Sequence, residues 1–215
     1  MLNNVLTMRS DDRITTMTAV SNHPVYELIA SIQTLDDLAR EHKAQALRWL
    51  NQTGDIYRRV KPHLPSPHLV AYFLVVDRQS GRVLLCDHRL SGLWLPTGGH
   101  VERGEDPVDT VRREAMEELG IEAQFEVGYG PRPFFLTMTD TVGQPEERHT
   151  DVSLWFALSG SPELPIKSDD REFFGVRWWS RAELLAADSA RFEPHLLRAL
   201  DALASIVSRY RSGPS

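Results

Sequence analysis

The sequence predicts an α/β sandwich, strands with helices on both sides, with a helical extension in front of it. Three observations lead there. From His68 onward, short runs with the period of strands recur along the chain. One strongly marked amphipathic helix interrupts them at residues 106–120, and another closes them at residues 193–210. A stretch rich in proline, KPHLPSPH at 61–68, divides all of this from an earlier segment whose apolar residues fall at helical spacing.

The order of elements follows. Residues 1–22 are polar and without a period, and are expected to be a loose tail. The extension, 23–65, begins with Val25, Leu28, Ile29 and Ile32 on one short amphipathic helix. Thr34 is the expected N-cap of a longer one carrying Leu35, Leu38, Ala39, Ala46, Leu47 and Leu50, ended by Gly54, with one more turn expected over 55–60. The main domain is expected over 66–210. Its first strand, 69–76, and second, 82–87, form a hairpin about a turn at 78–81. GLWLPTGG, 92–99, leads to the central helix. Strands are expected next at 122–130, 134–139, 150–158 and 173–179, then the short helix SRAELLAA capped by Ser180. In 150–158, Val152, Leu154, Phe156 and Leu158 alternate with Asp151, Ser153 and Trp155, so the first set is expected inward and the second outward. Residues 211–215 are expected to be loose.

The central helix carries its own start and stop. Asp106 is a good N-cap, Pro107 suits the first turn, Asp109 favours the positive dipole end, and Gly120 suits the C-cap. Val108, Val111, Ala115 and Leu119 form its apolar stripe. Glu114, Glu117 and Glu118 stand at i, i+3 and i+4, which brings them to one face, expected to point from the core into a cleft. Three carboxylates so close repel one another. A cation with a taste for oxygen removes that cost, magnesium, manganese or calcium rather than zinc. Glu105 and Arg113 are placed to pair and to brace the loop against the helix.

Residues 99–121 resemble the Nudix box: a Gly, five residues, a Glu, seven residues, Arg-Glu, an apolar residue, any residue, Glu-Glu, any residue, Gly and an apolar residue. The chain supplies Gly99, Glu105, Arg113, Glu114, Ala115, Glu117, Glu118, Gly120 and Ile121. A chance match in a chain this long is on the order of one in ten million, so an ordinary acidic helix is set aside. The resemblance implies the Nudix fold for about residues 67–209. It implies a hydrolase that cleaves a nucleoside diphosphate linked to another moiety, with Mg2+, or Mn2+ in its place. Glu114, Glu117 and Glu118 are then metal ligands, with the carbonyl of Gly98 as a further one, and Glu114 is the preferred general base. An extra acid is expected from the loop before the late strand, at Asp169, Asp170 or Glu172.

For substrate contacts, the resemblance to MutT-like triphosphatases points to Arg89 as a phosphate contact and to Arg148 and Trp155 on the run RHTDVSLWF; Trp155 is either a stacking platform for a base or a buried structural ring. His100 and His149 read as phosphate contacts or as structural histidines. The Asn that reads an oxidised purine near the last helix has no counterpart in Arg191-Phe192-Glu193-Pro194. Marks of NADH, coenzyme A, dinucleoside polyphosphate and ADP-ribose hydrolases are missing from their usual places. A nucleoside triphosphate remains as the expected substrate. ADP-ribose or another nucleotide conjugate is the alternative, and a ligand-sensing or partner-binding module is the alternative of another class. Modules of that kind tend to lose box acids, and this chain keeps them all.

Composition bounds the rest. The 215 residues are 41% hydrophobic and 25% charged, with a net charge of −6. No basic block exists, so an extended nucleic-acid partner is not expected. Cys86 is the single cysteine, which excludes an internal disulfide and fits a cytoplasmic chain. No run is long and apolar enough to span a membrane. The apolar face of the extension is expected to bury against the main domain or a second subunit, with a homodimer as the preferred outcome.

Overall fold

The computed structural model describes residues 24–61, 64–126, 129–141 and 145–211. The tails expected at 1–22 and 211–215 lie outside the described residues, save Arg211, which ends the last helix. Helices α1 (Pro24–Ser31) and α2 (Asp37–Gln52) form the extension. Strands β1 (His68–Asp77), β2 (Val83–His88), β3 (Trp94–Leu95) and β4 (Thr97–His100) precede α3 (Pro107–Leu119). Then come β5 (Phe135–Asp140), β6 (Thr150–Gly160), β7 (Phe173–Trp179), α4 (Arg181–Ala186) and α5 (Leu196–Arg211).

The sheet runs β3-β2-β1-β6-β5, with β4 paired to the first half of β1 and β7 to β2. β1 and β6 pair in parallel along ten residue positions, and the other pairings are antiparallel, so the sheet is mixed. Both faces are covered. Leu69, Ala71, Phe73 and Val75 of β1 meet Val111, Ala115 and Leu119 of α3 together with Val25, Ile29, Trp49 and Leu50 of the extension. Leu74 of β1 and Val83 and Leu85 of β2 meet Leu184 of α4 and Leu196, Ala199 and Leu203 of α5.

The extension belongs to this core. Ala46 and Ile56 are fully buried, and α2 lies along β5, the outer strand on that side. A strand edge is thereby covered rather than left to pair with another chain. Asp36 pairs with Arg198 of α5 at 2.6 Å, and the guanidinium holds the Asp36 carboxyl below its usual range. Part of the face expected to bury against the main domain or a second subunit packs within the chain. Leu50 is buried, whereas Leu35 and Leu38 remain exposed.

Several expected boundaries move. The N-cap of α2 is Asp36, whose side chain accepts from the Ala39 N–H at 2.7 Å, and not Thr34. No turn of helix forms over 55–60, because Ile56 is drawn into the core and its carbonyl accepts from the Leu69 N–H at 2.8 Å. Of the strand expected at 122–130, the described residues form a bridge between Phe125 and Leu158, and beyond it the Tyr129 and Gly130 N–H groups donate to the Glu126 carbonyl; residues 127–128 lie outside the described residues. GLWLPTGG, expected as a connection, holds β3 and β4 on either side of Pro96.

Glu193, just before α5, carries a first prediction. Its carboxylate accepts from the His195 N–H at 2.7 Å, and burial pushes its pKa up to about 7. The folded state therefore keeps this proton to higher pH than the unfolded chain does. The associated stability is complete below the ordinary carboxylate range and is lost as pH rises through about 7. Glu193→Gln should stabilise the fold at about pH 8 by about 1–2 kcal/mol, with no gain at about pH 4. Thermal melts at the two pH values check this.

Candidate active site

The site is built where α3 crosses β4. Asp106 caps α3 by accepting from the Val108 N–H at 2.8 Å, and Gly120 ends it in the left-handed conformation, φ 64°. These signals fix the register of the three glutamates. The face expected to point as one into a cleft is divided: Glu114 and Glu118 are 9% and 7% exposed, while the Glu117 side chain is 60% exposed. The reason lies in the facing strand. Gly98 and Gly99 give β4 no side chains at these positions, and Glu114 fills the space beside Gly99. A Cβ on Gly99 would stand 1.8 Å from Glu114 Oε1. Gly98 packs its backbone against Ala71 and Tyr72 of β1 at φ 151°, and its N–H donates to Glu118 Oε2 at 3.2 Å. The Thr97 hydroxyl donates to the same oxygen.

Arg113 ties the loop to the acids. Its Nε and Nη2 donate to the two oxygens of Glu105 at 3.0 and 3.1 Å. Nη1 donates to Glu114 Oε1 at 2.6 Å and reaches Glu117 Oε2 at 3.4 Å, and Nη2 donates to the His100 carbonyl at 3.3 Å. The pairing of Glu105 with Arg113 is thus present, and it orients Glu114 as a rigid fork can.

A fourth carboxylate joins from the loop before β7. Glu172 lies near enough to Glu118 and Glu114 for its charge to act on both. Burial, Glu114 and Glu172 together push the Glu118 pKa up to about 10. Burial raises that of Glu114 too, against the opposing pull of Arg113. Buried acids whose charged forms are disfavoured in this way are a fit receptor for a divalent cation bound through oxygen. Of the other loop acids, Asp169 is spoken for by Arg171, and exposed Asp170 acts on Arg171.

The substrate contacts fare differently. Arg89 donates from Nε to the Phe173 carbonyl at 3.1 Å and lies 4.2 Å over the Phe174 ring, while its N–H donates to the Glu172 carbonyl at 2.9 Å. It therefore clamps the segment that delivers Glu172. Arg148 is exposed and lines a cleft of about 410 Å³ with Ser66, Asp140, Thr141, His149 and Thr150, which includes no box residue. Trp155 has no open face for a base. It is fully buried, donates from Nε1 to Thr137 Oγ1 at 3.1 Å, and meets Tyr72 and Phe135 edge-on. The outward face expected for β6 is covered by α5, so alternation there separates two cores and not core from water.

Sequence reasoning missed Arg58. It sits in the segment expected as a helical turn, yet it is close enough to Glu114, Glu102 and Asp151 to feel their charges. It also missed that His68 and Asp151 join His100 and His149 in one cluster. The spacing His149-Thr150-Asp151 was the one local signal.

The chain is similar to several known proteins. A family model described as the NUDIX domain matches residues 67–200. Nudix hydrolase 19, chloroplastic, of Arabidopsis thaliana is 31% identical over 134 residues, which are 61% of this chain and 27% of that protein. Phosphatase NudJ of Escherichia coli (strain K12) is 27% identical over 128 residues, covering 59% of this chain and 76% of NudJ. Among solved structures, the MutT protein of Methanosarcina mazei Go1 is 18% identical with a TM-score of 0.49, over 68% of this chain and 99% of that one. The E. coli dihydroneopterin triphosphate pyrophosphohydrolase is 18% identical with a TM-score of 0.48, over 68% and 95%. With the domain matched over more than half its length and the box intact upon α3, the chain belongs to the Nudix hydrolase family, which acts on pyrophosphate bonds.

Proposed function

We propose that this chain is a metal-dependent pyrophosphohydrolase whose substrate is a nucleoside triphosphate, with Mg2+ as the working ion. The observation that carries the reading is the meeting of four carboxylates, Glu114, Glu117, Glu118 and Glu172, beside the side-chain-free backbone of Gly98 and Gly99. Glu114, Glu117, Glu118 and the Gly98 carbonyl would hold the cation, and Glu172 is the extra acid. Bound there, a divalent cation supplies charge neutralisation for the diphosphate and lowers the pKa of water. Glu114 is the proposed base, since Arg113 fixes the direction of its oxygen toward the site. Glu118 is held by Thr97 and Gly98 and so acts from a fixed position. Arg89 offers positive charge next to the Glu172 segment, where a phosphate chain meets the acids. The retained box acids support an enzyme over a ligand-sensing module.

Product release from a panel of nucleoside triphosphates, oxidised triphosphates, ADP-ribose, NADH and dinucleoside polyphosphates tests this. Turnover of a triphosphate is expected with Mg2+, falling to background in excess chelator and returning when Mg2+ is restored. Turnover confined to ADP-ribose or another conjugate would overturn the substrate. Full turnover in chelator would overturn the role of the ion.

A further inference from the structure

Beside the carboxylate site, and sharing no side chain with it, four other groups converge. His68 opens β1 and pairs in register with Asp151 of β6. His100 closes β4, whose pairing with β1 sets it opposite Val70. His149 stands two residues before Asp151, on the approach to β6. The topology alone thus brings three segments, distant in sequence, to one corner of the sheet.

Their ligand atoms face a common point. His68 Nε2 lies 3.2 Å from Asp151 Oδ1, His149 Nε2 3.3 Å and His100 Nε2 4.0 Å. All four ligand atoms fall within 4.8 Å of one another. The His68 side chain is wholly buried, and its Nδ1 is 2.6 Å from the Pro65 carbonyl. A carbonyl only accepts, so Nδ1 carries the proton and Nε2 presents a bare lone pair to the cluster. This is how an outer hydrogen bond orients a histidine that ligates metal. His68 Nε2, His100 Nε2 and Asp151 Oδ1 are buried with no hydrogen-bond partner. Three orphaned polar atoms in one place are costly, and no single shared proton satisfies them all. One cation accepts every one of these lone pairs.

We propose that His68, His100, His149 and Asp151 form a structural zinc site. Three imidazoles and one carboxylate are a donor set for zinc, while magnesium and calcium take oxygen throughout. A tetrahedron with bonds of about 2.0–2.1 Å has edges of roughly 3.3–3.4 Å, which the 3.2 and 3.3 Å separations match. Four protein ligands close the coordination shell, so the ion fastens and does not react. It ties the start of β1, the end of β4 and the start of β6 together, and holds β4 just beyond the glycines that receive the acids.

The test uses the full-length chain without a histidine tag, stripped by chelator and then loaded with Zn2+ or Co2+ alone. About one zinc per chain should survive desalting into excess Mg2+, and the Co2+ form should show the strong visible bands of tetrahedral geometry. His68→Ala should lose zinc retention, and Asp151→Asn, close in shape, should do so if the alanine variant fails to fold. Glu117→Gln should retain zinc in full, which separates this site from the acids. No retained zinc in the native chain, a six-coordinate Co2+ spectrum, full retention in Asp151→Asn, or loss of zinc in Glu117→Gln would each overturn the proposal.

Discussion

Glu117→Gln should lower turnover at least about a hundredfold while leaving the melting temperature within a degree or so of the native chain. Losing a group that merely supports a metal ligand typically costs 10–100-fold, and Glu117 is proposed to be a ligand itself. The stability half follows from exposure. The Glu117 side chain is 60% exposed, and its one described partner is a long 3.4 Å contact with Arg113. Exposed pairs of that kind contribute little, and the neutral amide relieves repulsion with Glu114. Steady-state rates at saturating Mg2+, beside a thermal melt, check both halves. A native rate would remove Glu117 from the site.

The adjacent glycines should separate folding from catalysis. At Gly98 a Cβ would meet the Ala71 carbonyl oxygen at 2.1 Å and Tyr72 Cα at 2.8 Å, from a backbone at φ 151°. Nothing there can turn aside, because β1 is the central strand. Gly98→Ala should cost more than about 3 kcal/mol of stability. At Gly99 the obstacle is the far end of a side chain, Glu114 Oε1 at 1.8 Å. Gly99→Ala should therefore fold nearly as the native chain does, with Glu114 swung away from Arg113. Turnover should fall about a hundredfold, as a small misplacement of a reacting group does. Denaturant melts and rates on the two variants decide it. Equal stability loss in both would mean that β4 cannot yield at either position.

These two glycines also mark how far the sequence could be read. The position and register of α3 were legible because Asp106, Pro107 and Gly120 are local signals. The pairing of Glu105 with Arg113 followed from the box. The burial of Glu114 and Glu118 did not, since the space for them is made by another strand, and helical periodicity reports nothing about a facing backbone. Trp155 was given a face by alternation, but β6 is a central strand with helices on both sides, where alternation loses its link to solvent. Glu172 was one of three loop acids in the sequence, and only the tertiary contact with Glu118 picks it out. The histidine cluster gathers residues from three strand segments and had no compact motif to announce it.

The way α2 lies along β5 bears on how this chain can be cut and shared. The family match begins at residue 67, which invites treatment of everything before it as a detachable leader. The physical unit is larger. Remove the extension and Leu69, Phe73, Val152 and Leu154 lose the neighbours that Val25, Ile29, Trp49 and Leu50 provide, while β5 becomes a bare rim open to self-association. The matched span alone is therefore expected to lose stability and to self-associate, which a melt and a size measurement on a chain cut at residue 67 would read. A cut at the family boundary passes through a core that both sides share.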